Sequence, residues 1–386
     1  MGTALCEKTA MLLQQTLLYN TARREMASSG QRTGTANLPL HYGKVPPWLF
    51  GRMSQLAREI TAVTVTEFGA AEMLRRLSDP YWFQAFGCVL GYDWHSSGVT
   101  TTVCGALKEG IRGLERELGL FVAGGKGRTS RKTPAEIENT GHLLKVNPSS
   151  LVYASRMSAK VDNSALQDGY QLYHHTFFFT TDGSWAVVQQ GMNENNRYAR
   201  RYHWLGEKVS DFVCEPEAAI CSQTKGEALN LVALESAKAR DVITQVAAEQ
   251  KPDAVVGQLN KLKTLTLPQR AYVSLEDIHP DRLGKIFLSA YEHKPQSFES
   301  LLALEGIGAK SLRALSLISE LVYDTPASLR DPASYSFAHG GKDGYPYPVD
   351  RKTYDSSIQF LAQAVEKAKI GDRDKLEALR RLRTWA

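Results

Sequence analysis

The chain has 386 residues, of which 43% are hydrophobic and 23% are charged. These are the proportions of an ordinary globular protein, so wholesale disorder and collagen-like repeats are excluded. At about 150 residues per domain, a chain of this length is expected to form two or three domains. The net charge of +5 permits a polyanionic partner such as nucleic acid but does not require one.

The cysteines and the apolar segments bear on where the protein acts. The five cysteines include no C-x-x-C pair, and their odd number argues against a disulfide framework or a zinc ribbon. Scattered reduced thiols are typical of the cytoplasm. No apolar run reaches the roughly 18–20 residues that span a bilayer, so we expect a cytoplasmic protein without a membrane partner.

Residues 1–31 differ in pattern from the rest of the chain. They contain one amphipathic stretch over 11–24, which is followed by a small polar run. We expect this segment to be an extension that is either disordered or upstream of a true start at Met26.

Residues 32–220 carry a mixture of helix and strand patterns and are expected to form one domain. Alternation over 63–67 predicts a short strand, and the spacing of apolar residues predicts helices before and after it. The predicted helices span 48–60, 69–78, 80–90 and 99–118, and a further strand is predicted over 120–123.

The strongest strand signal is a β-hairpin. A β-rich run over 170–180 is followed by Asp182-Gly183, a typical turn dipeptide, and by a second β-rich run over 185–190. A third strand is predicted over 197–205. We therefore expect a sheet built around this hairpin.

Helical periodicity dominates after residue 226, so a domain boundary is predicted near 215–226. One irregular segment, 326–350, interrupts the helical part. The predicted fold class is α+β, with a mixed α/β domain over 32–220 followed by an all-α domain over 226–386. The predicted helices of the second domain span 226–250, 253–263, 280–292, 298–304, 309–323 and 351–369.

The clearest motif is a helix-hairpin-helix over 298–323. Two amphipathic helices flank the turn Gly306-Ile307-Gly308, and Lys310 follows in the first turn of the second helix. The glycines permit unusual backbone angles, and the amides at the start of a helix attract phosphate oxygens. The turn and Lys310 are therefore predicted to bind the DNA backbone without reading bases. The alternative is an ordinary connection between two helices.

A second feature lies downstream, where Asp350 precedes a predicted helix in the sequence P-V-D-R. Together with L-x-G-I-G-A-K, it resembles the DNA glycosylase superfamily that is built on the helix-hairpin-helix, over about 226–370. The resemblance implies that Lys310 is the nucleophile of a bifunctional glycosylase and that Asp350 is the catalytic carboxylate. The two lie further apart than is usual in that superfamily, so 326–347 would have to loop out. The alternative role of Asp350 is a helix cap.

Two further groups of residues suggest chemistry. Asp93 and His95 lie two apart in a loop and could form an acid/base pair or bind a metal ion. Asp168, His174 and His175 lie around the β-hairpin, where such groups hold the divalent ion of many phosphodiesterases. The expected cofactor is then Mg²⁺ or Mn²⁺. Adjacent histidines on a strand point to opposite faces, so at most one of them faces any given site, and a purely structural role is the alternative.

A basic loop follows the predicted strand 120–123. Its glycines lack the spacing of a nucleotide-binding P-loop. Its like charges are predicted to contact nucleic acid, and a solvated loop is the alternative. The basic residues of the loop are Lys126, Arg128, Arg131 and Lys132.

Several long segments from Arg32 onward agree in order with one known family. They are TGTANLPLHYGKVPPWL, GYDWHSSGVTTTVCGALKEG, GGKGRTSRKTP, WAVVQQGMN and FAHGGKDGYPYPVDR. On these segments the chain resembles the prokaryotic domain-of-unknown-function family numbered 763. The resemblance implies an intracellular prokaryotic protein whose C-terminal part holds a DNA-binding hairpin, and it implies no particular activity.

These features predict a DNA-binding protein that acts in DNA processing or repair. Whether it is an enzyme stays open. A glycosylase or lyase would use Lys310 and Asp350, whereas a metal-dependent nuclease would use Asp93, His95 and the residues of the β-hairpin. The alternative is a non-catalytic DNA-binding or recombination-accessory protein.

Overall fold

The described part of the chain is a helical protein built around a central antiparallel sheet, which confirms the predicted α+β class. Contacts divide the chain into Met1–Thr33 and Gly34–Ala386, and every described residue belongs to the second unit. The predicted extension 1–31 lies outside the described residues. The computed structural model describes residues 45–92, 96–222, 225–262, 279–333 and 351–385.

Helices precede and follow the sheet in the sequence. Those before the hairpin strands are α1 (Pro47–Phe68), α2 (Ala70–Ser78), α3 (Pro80–Val89), α4 (Gly98–Gly110), α5 (Glu115–Leu118), α6 (Thr133–Asn139) and α7 (Pro148–Lys160). Those after it are α8 (Ala237–Glu249), α9 (Pro252–Leu262), α10 (Pro280–His293), α11 (Phe298–Ala303), α12 (Ala309–Tyr323), α13 (Arg351–Lys367) and α14 (Asp372–Trp385).

The described strands form two antiparallel sheets. The larger has the order β1-β3-β4-β5-β6, and its centre is the predicted hairpin, which turns at Asp182-Gly183 with Gly183 at a φ of 89°. The smaller has the order β2-β7-β8. The strands are β1 (Leu120–Lys126), β2 (Leu166–Gln167), β3 (Gln171–Thr180), β4 (Trp185–Asn193), β5 (Tyr198–Leu205), β6 (Ala219–Cys221), β7 (Glu227–Asn230) and β8 (Ser328–Arg330).

The larger sheet separates two hydrophobic cores, because successive side chains of a strand point to opposite faces. Phe177 and Val187 belong to the core that includes residues of α7, α8, α11 and α12. Phe178 and Val188 belong to the core that includes residues of α1, α3, α4, α13 and α14. The helix-hairpin-helix is thus packed into the first of the two cores.

Described residues on the two sides of the predicted boundary at 215–226 pair with each other. Strand β7 follows that boundary, yet it pairs with β2 at Leu166 and Gln167 and with β8 on its other side. The contacts place 34–386 in one unit. Sequence periodicity does not reveal this pairing, because β2 and β7 are too short to show a pattern. The predicted division into two domains stays a prediction.

The predicted strand over 63–67 is wrong, since these residues form the last turns of α1. β-branched residues prefer strands only weakly, and tertiary packing overrides that preference. Thr64 is buried in the helix, and its hydroxyl donates a hydrogen bond to the carbonyl of Ile60 at 2.7 Å. The predicted helix over 226–250 is also corrected, because its first part is strand β7.

Candidate functional site

The helix-hairpin-helix predicted from the sequence is present as two helices joined by a tight turn. Gly306 has a φ of 83°, a backbone angle that favours glycine, and it is exposed. Ile307 is buried and anchors the turn in the core of the adjacent helices. Lys310 is exposed in the first turn of α12. The two helices and the turn between them are therefore present, whereas their identification as a DNA-binding helix-hairpin-helix stays a prediction.

The backbone amides of the turn are not equivalent. The amide of Gly308 donates to the hydroxyl of Ser311 at 2.9 Å, so it is occupied within the protein. The amides of Ala309 and Lys310 have no acceptor in the part of the chain that the structure describes. Such unpaired amides at the start of a helix are the groups that bind anions. The anion-binding capacity of the turn thus lies at the start of α12 rather than at Gly308.

The turn between α11 and α12 is fixed to α7 and β2 by polar contacts that the sequence does not reveal. The ammonium of Lys160 donates to the carbonyls of Leu302 and Leu304, each at 2.6 Å, and so caps the end of α11. Gln167 donates its side-chain amide to the carbonyl of Ala309 at 2.9 Å. The end of one helix and the start of the next are thereby held at both sides of the turn.

The predicted basic loop begins at the end of β1 and continues as a short 3-10 helix, Gly127–Lys132. Lys126, Arg128, Arg131 and Lys132 are all exposed. Lys108 and Glu136 form an ion pair at 2.7 Å beneath the loop. Both also bind the backbone of Gly124, at its carbonyl and its amide. The loop therefore presents its charges from a fixed base.

The three predicted metal ligands do not meet at one site. The carboxylate of Asp168 is buried and accepts hydrogen bonds from Arg200 at 2.9 Å and from Tyr202 at 2.7 Å. Within the described ranges, no group of three or more His, Cys, Asp or Glu side chains is arranged to bind a metal ion. The predicted Mg²⁺ or Mn²⁺ site at Asp168, His174 and His175 stays a prediction, and the structure uses Asp168 in an ion pair with Arg200.

The two adjacent histidines have separate partners, as expected for neighbours on a strand. His175 contacts the hydroxyl of Ser155 at 2.9 Å and the side chain of Gln189 at 2.7 Å. His174 contacts the hydroxyl of Thr176 at 3.0 Å. Burial lowers the pKa of His174 to about 3 and the pKa of His175 to about 4. Both imidazoles are thus neutral near pH 7.

These buried histidines predict a loss of stability in acid. Burial also holds the pKa of His203 well below its ordinary value of 6.5. The unfolded chain therefore binds more protons than the folded chain below about pH 6.5, and the free energy of unfolding falls as the pH drops from 7 toward 4. His203→Asn keeps a donor for the carbonyl of Leu77, 2.9 Å away, but removes the titrating group.

Urea unfolding of both proteins at pH 7.0, 6.0 and 5.0 measures this effect. The variant should lose stability less steeply on acidification, by up to about 1.4 kcal/mol per pH unit. The carboxyl groups are the same in both proteins, so their titration cancels in the comparison. Equal slopes for the two proteins would contradict a neutral His203 in the folded state.

Three predicted catalytic residues, Asp93, His95 and Asp350, lie outside the described residues. Their predicted roles stay predictions. Among the described residues, Cys88, Cys104, Cys214 and Cys221 form no disulfide bond. Among the described helices, none is both long enough and apolar enough to cross a membrane.

Comparison with known proteins gives one match. Neither the curated proteins nor the solved structures contain a significant match to the sequence. The family described as "Protein of unknown function (DUF763)" matches residues 34–349, which is more than three quarters of the chain. The resemblance to the DNA glycosylase superfamily stays a prediction, whereas the resemblance to the family numbered 763 is confirmed: the chain belongs to the DUF763 family.

Proposed function

We propose that the protein binds DNA through its phosphate backbone and that the start of α12 is the principal contact. The observation that carries the proposal is the set of exposed groups at this helix start. Gly306 leaves the surface open, the amides of Ala309 and Lys310 lack acceptors among the described residues, and the ammonium of Lys310 is exposed beside them. This combination suits a phosphate oxygen of any nucleotide.

The basic loop supports the same proposal as a second, independent contact. Its cations are exposed, and none of them forms an ion pair with a carboxylate of another described residue. Their attraction to DNA would be electrostatic and sensitive to salt. A role in DNA processing or repair is part of the same proposal.

The hairpin contact predicts a specific effect of Lys310→Ala on DNA binding. Removal of one phosphate-binding charge should reduce the slope of log affinity against log salt concentration by about one unit. The affinity should fall to a similar degree for duplexes of different sequence, because phosphate contacts carry no base information. Fluorescence anisotropy of labelled duplexes across a salt series measures both quantities.

Lys238→Ala is a matched control. Lys238 is exposed and is the second residue of α8, as Lys310 is of α12, and each follows an alanine. It lacks the Gly-Ile-Gly turn before it. If Lys238→Ala and Lys310→Ala change the salt slope equally, the hairpin has no special role in binding.

Catalysis is the part of the proposal with two mechanisms. In a glycosylase or lyase, the amine of Lys310 would attack C1′ of the sugar as the bond from C1′ to the base breaks, and the base would leave with that electron pair and take up a proton. The amine would then lose its protons as the sugar ring opens to an imine, which borohydride would reduce to a stable covalent adduct with DNA. In a nuclease, cleavage would require Mg²⁺ or Mn²⁺ and would stop on addition of a chelator. Binding without either activity would favour the alternative, a non-catalytic accessory protein. That alternative is supported by the buried, ion-paired state of Asp168.

A further inference from the structure

A cleft of about 1240 Å³ lies between the start of α4, the end of β1 and the adjoining part of β3. No residue of the turn between α11 and α12 lines it. Its volume exceeds that of ordinary small-molecule pockets, so it can admit a ligand of nucleotide size. Hydroxyl groups, aromatic rings and basic side chains line it together. The residues that matter here are Ser97, Thr101, Thr102, Lys126, Tyr173 and Thr176.

The wall of the cleft is held by a buried glutamine. Gln190 is fully buried, and its side-chain amide donates to the carbonyl of Ser97 at 2.8 Å and to the hydroxyl of Tyr173. Its carbonyl oxygen accepts a hydrogen bond from the hydroxyl of Thr100. The start of α4 and the ring of Tyr173 are thereby fixed relative to each other. A fixed wall reduces the entropy cost of binding a ligand.

The start of α4 also fits closely against a second tyrosine. A Cβ at Gly98 would lie 2.1 Å from the hydroxyl of Tyr92, so the glycine is what permits this contact. Both residues line the cleft. Tyrosine rings and hydroxyls are suited to the base and sugar of a nucleotide, because every base has an aromatic face.

The charges that line the cleft favour an anion. The charged residues of the lining are Lys108, Lys126, Arg197 and Glu194. Lys108 is paired with Glu136, whereas Lys126 is exposed and its ammonium lies 5.9 Å from the centre of the Tyr173 ring. Lys126 thus places a cation at the aromatic wall of the cleft, and the basic loop continues from it.

We propose that this cleft binds a nucleotide, with its phosphate at Lys126 and its sugar and base along the hydroxyl and tyrosine wall. The same chemistry is offered by a free nucleotide and by a nucleotide of single-stranded DNA whose other phosphates follow the basic loop. The cleft is separate from the turn between α11 and α12, so the inference does not depend on DNA binding at that turn.

Isothermal titration calorimetry with dAMP and with a short 5′-phosphorylated oligothymidylate tests the inference on the full chain. Lys126→Ala should weaken binding about tenfold, because a charge-assisted contact to phosphate is lost. Lys145→Ala is the matched control. Lys145 is exposed, and its amide donates to Thr181 at the far end of β3, whereas Lys126 pairs with His174.

Binding of both ligands that weakens only in Lys126→Ala supports the cleft as a site for free nucleotides. Binding of the oligonucleotide alone, with the same dependence on Lys126, supports it as a site for a DNA strand. No binding of either ligand, or equal effects of Lys126→Ala and Lys145→Ala, overturns the inference. The contact at the start of α12 is measured separately, by the salt dependence of duplex binding, so its failure would leave the result with dAMP intact.

Discussion

Arg200→Met is expected to lower the free energy of unfolding by about 3–5 kcal/mol, because it leaves two buried carboxylates without their cation. Arg200 is 2% exposed and lies 2.9 Å from Asp168 and 2.8 Å from Asp331. Burial alone would lower the pKa of Arg200, but the two carboxylates raise it above its ordinary value. Arg200 therefore remains charged. Its removal leaves the carboxylates of Asp168 and Asp331 buried without a cation, which is unfavourable for the folded state.

Arg330→Met is the control for this prediction. Arg330 pairs with Glu215 at 2.8 Å and with Glu235 at 3.3 Å, yet it is 46% exposed. Solvent screens such a pair, so its removal should cost about 1 kcal/mol or less. Urea unfolding at pH 7 measures both variants. A difference of less than about 1 kcal/mol between them would contradict the view that burial makes the Arg200 contacts essential.

The Arg200 ion pairs also show why the sequence predicts the turn at 306–308 but not the contacts of Asp168. The hairpin turn is local: its glycines, its lysine and both helices lie within 298–323, so neighbouring residues reveal it. Asp168, Arg200 and Asp331 come from distant parts of the chain. Their local sequence patterns do not indicate that these three side chains form ion pairs. From the sequence alone, Asp168 is therefore interpreted as a metal ligand. In the folded chain, Asp168 forms an ion pair with Arg200.

The same distinction applies to the fold. The β-hairpin is predicted closely, because Asp182-Gly183 and two β-rich runs are adjacent in sequence. The smaller sheet is missed, because its three strands are two to four residues long and come together only in the folded chain. Its pairing connects strands from both sides of the predicted domain boundary. Short-range patterns thus define elements here, whereas long-range contacts define how they join.

Gly124→Ala is expected to lower the free energy of unfolding by about 3 kcal/mol, from two separate causes. Gly124 has a φ of 87°, which costs a residue with a Cβ about 1–2 kcal/mol. The new Cβ would also lie 2.3 Å from the carbonyl oxygen of His175 and 2.5 Å from the hydroxyl of Thr133. The carbonyl belongs to the neighbouring strand β3, so it cannot move aside without loss of pairing.

Gly127→Ala separates these two causes. Gly127 also has a positive φ, of 58°, but nothing lies within 4 Å of its added Cβ. Gly127→Ala should therefore lower the free energy of unfolding by only about 1–2 kcal/mol, which is the part of the Gly124→Ala effect that comes from the backbone angle. Urea unfolding gives both values, and calorimetry with dAMP shows whether the change at Gly124 also displaces Lys126. Equal losses of unfolding free energy in the two variants would mean that β3 shifts to accommodate the added methyl group. The backbone at the start of the basic loop would then be less rigid than its contacts indicate.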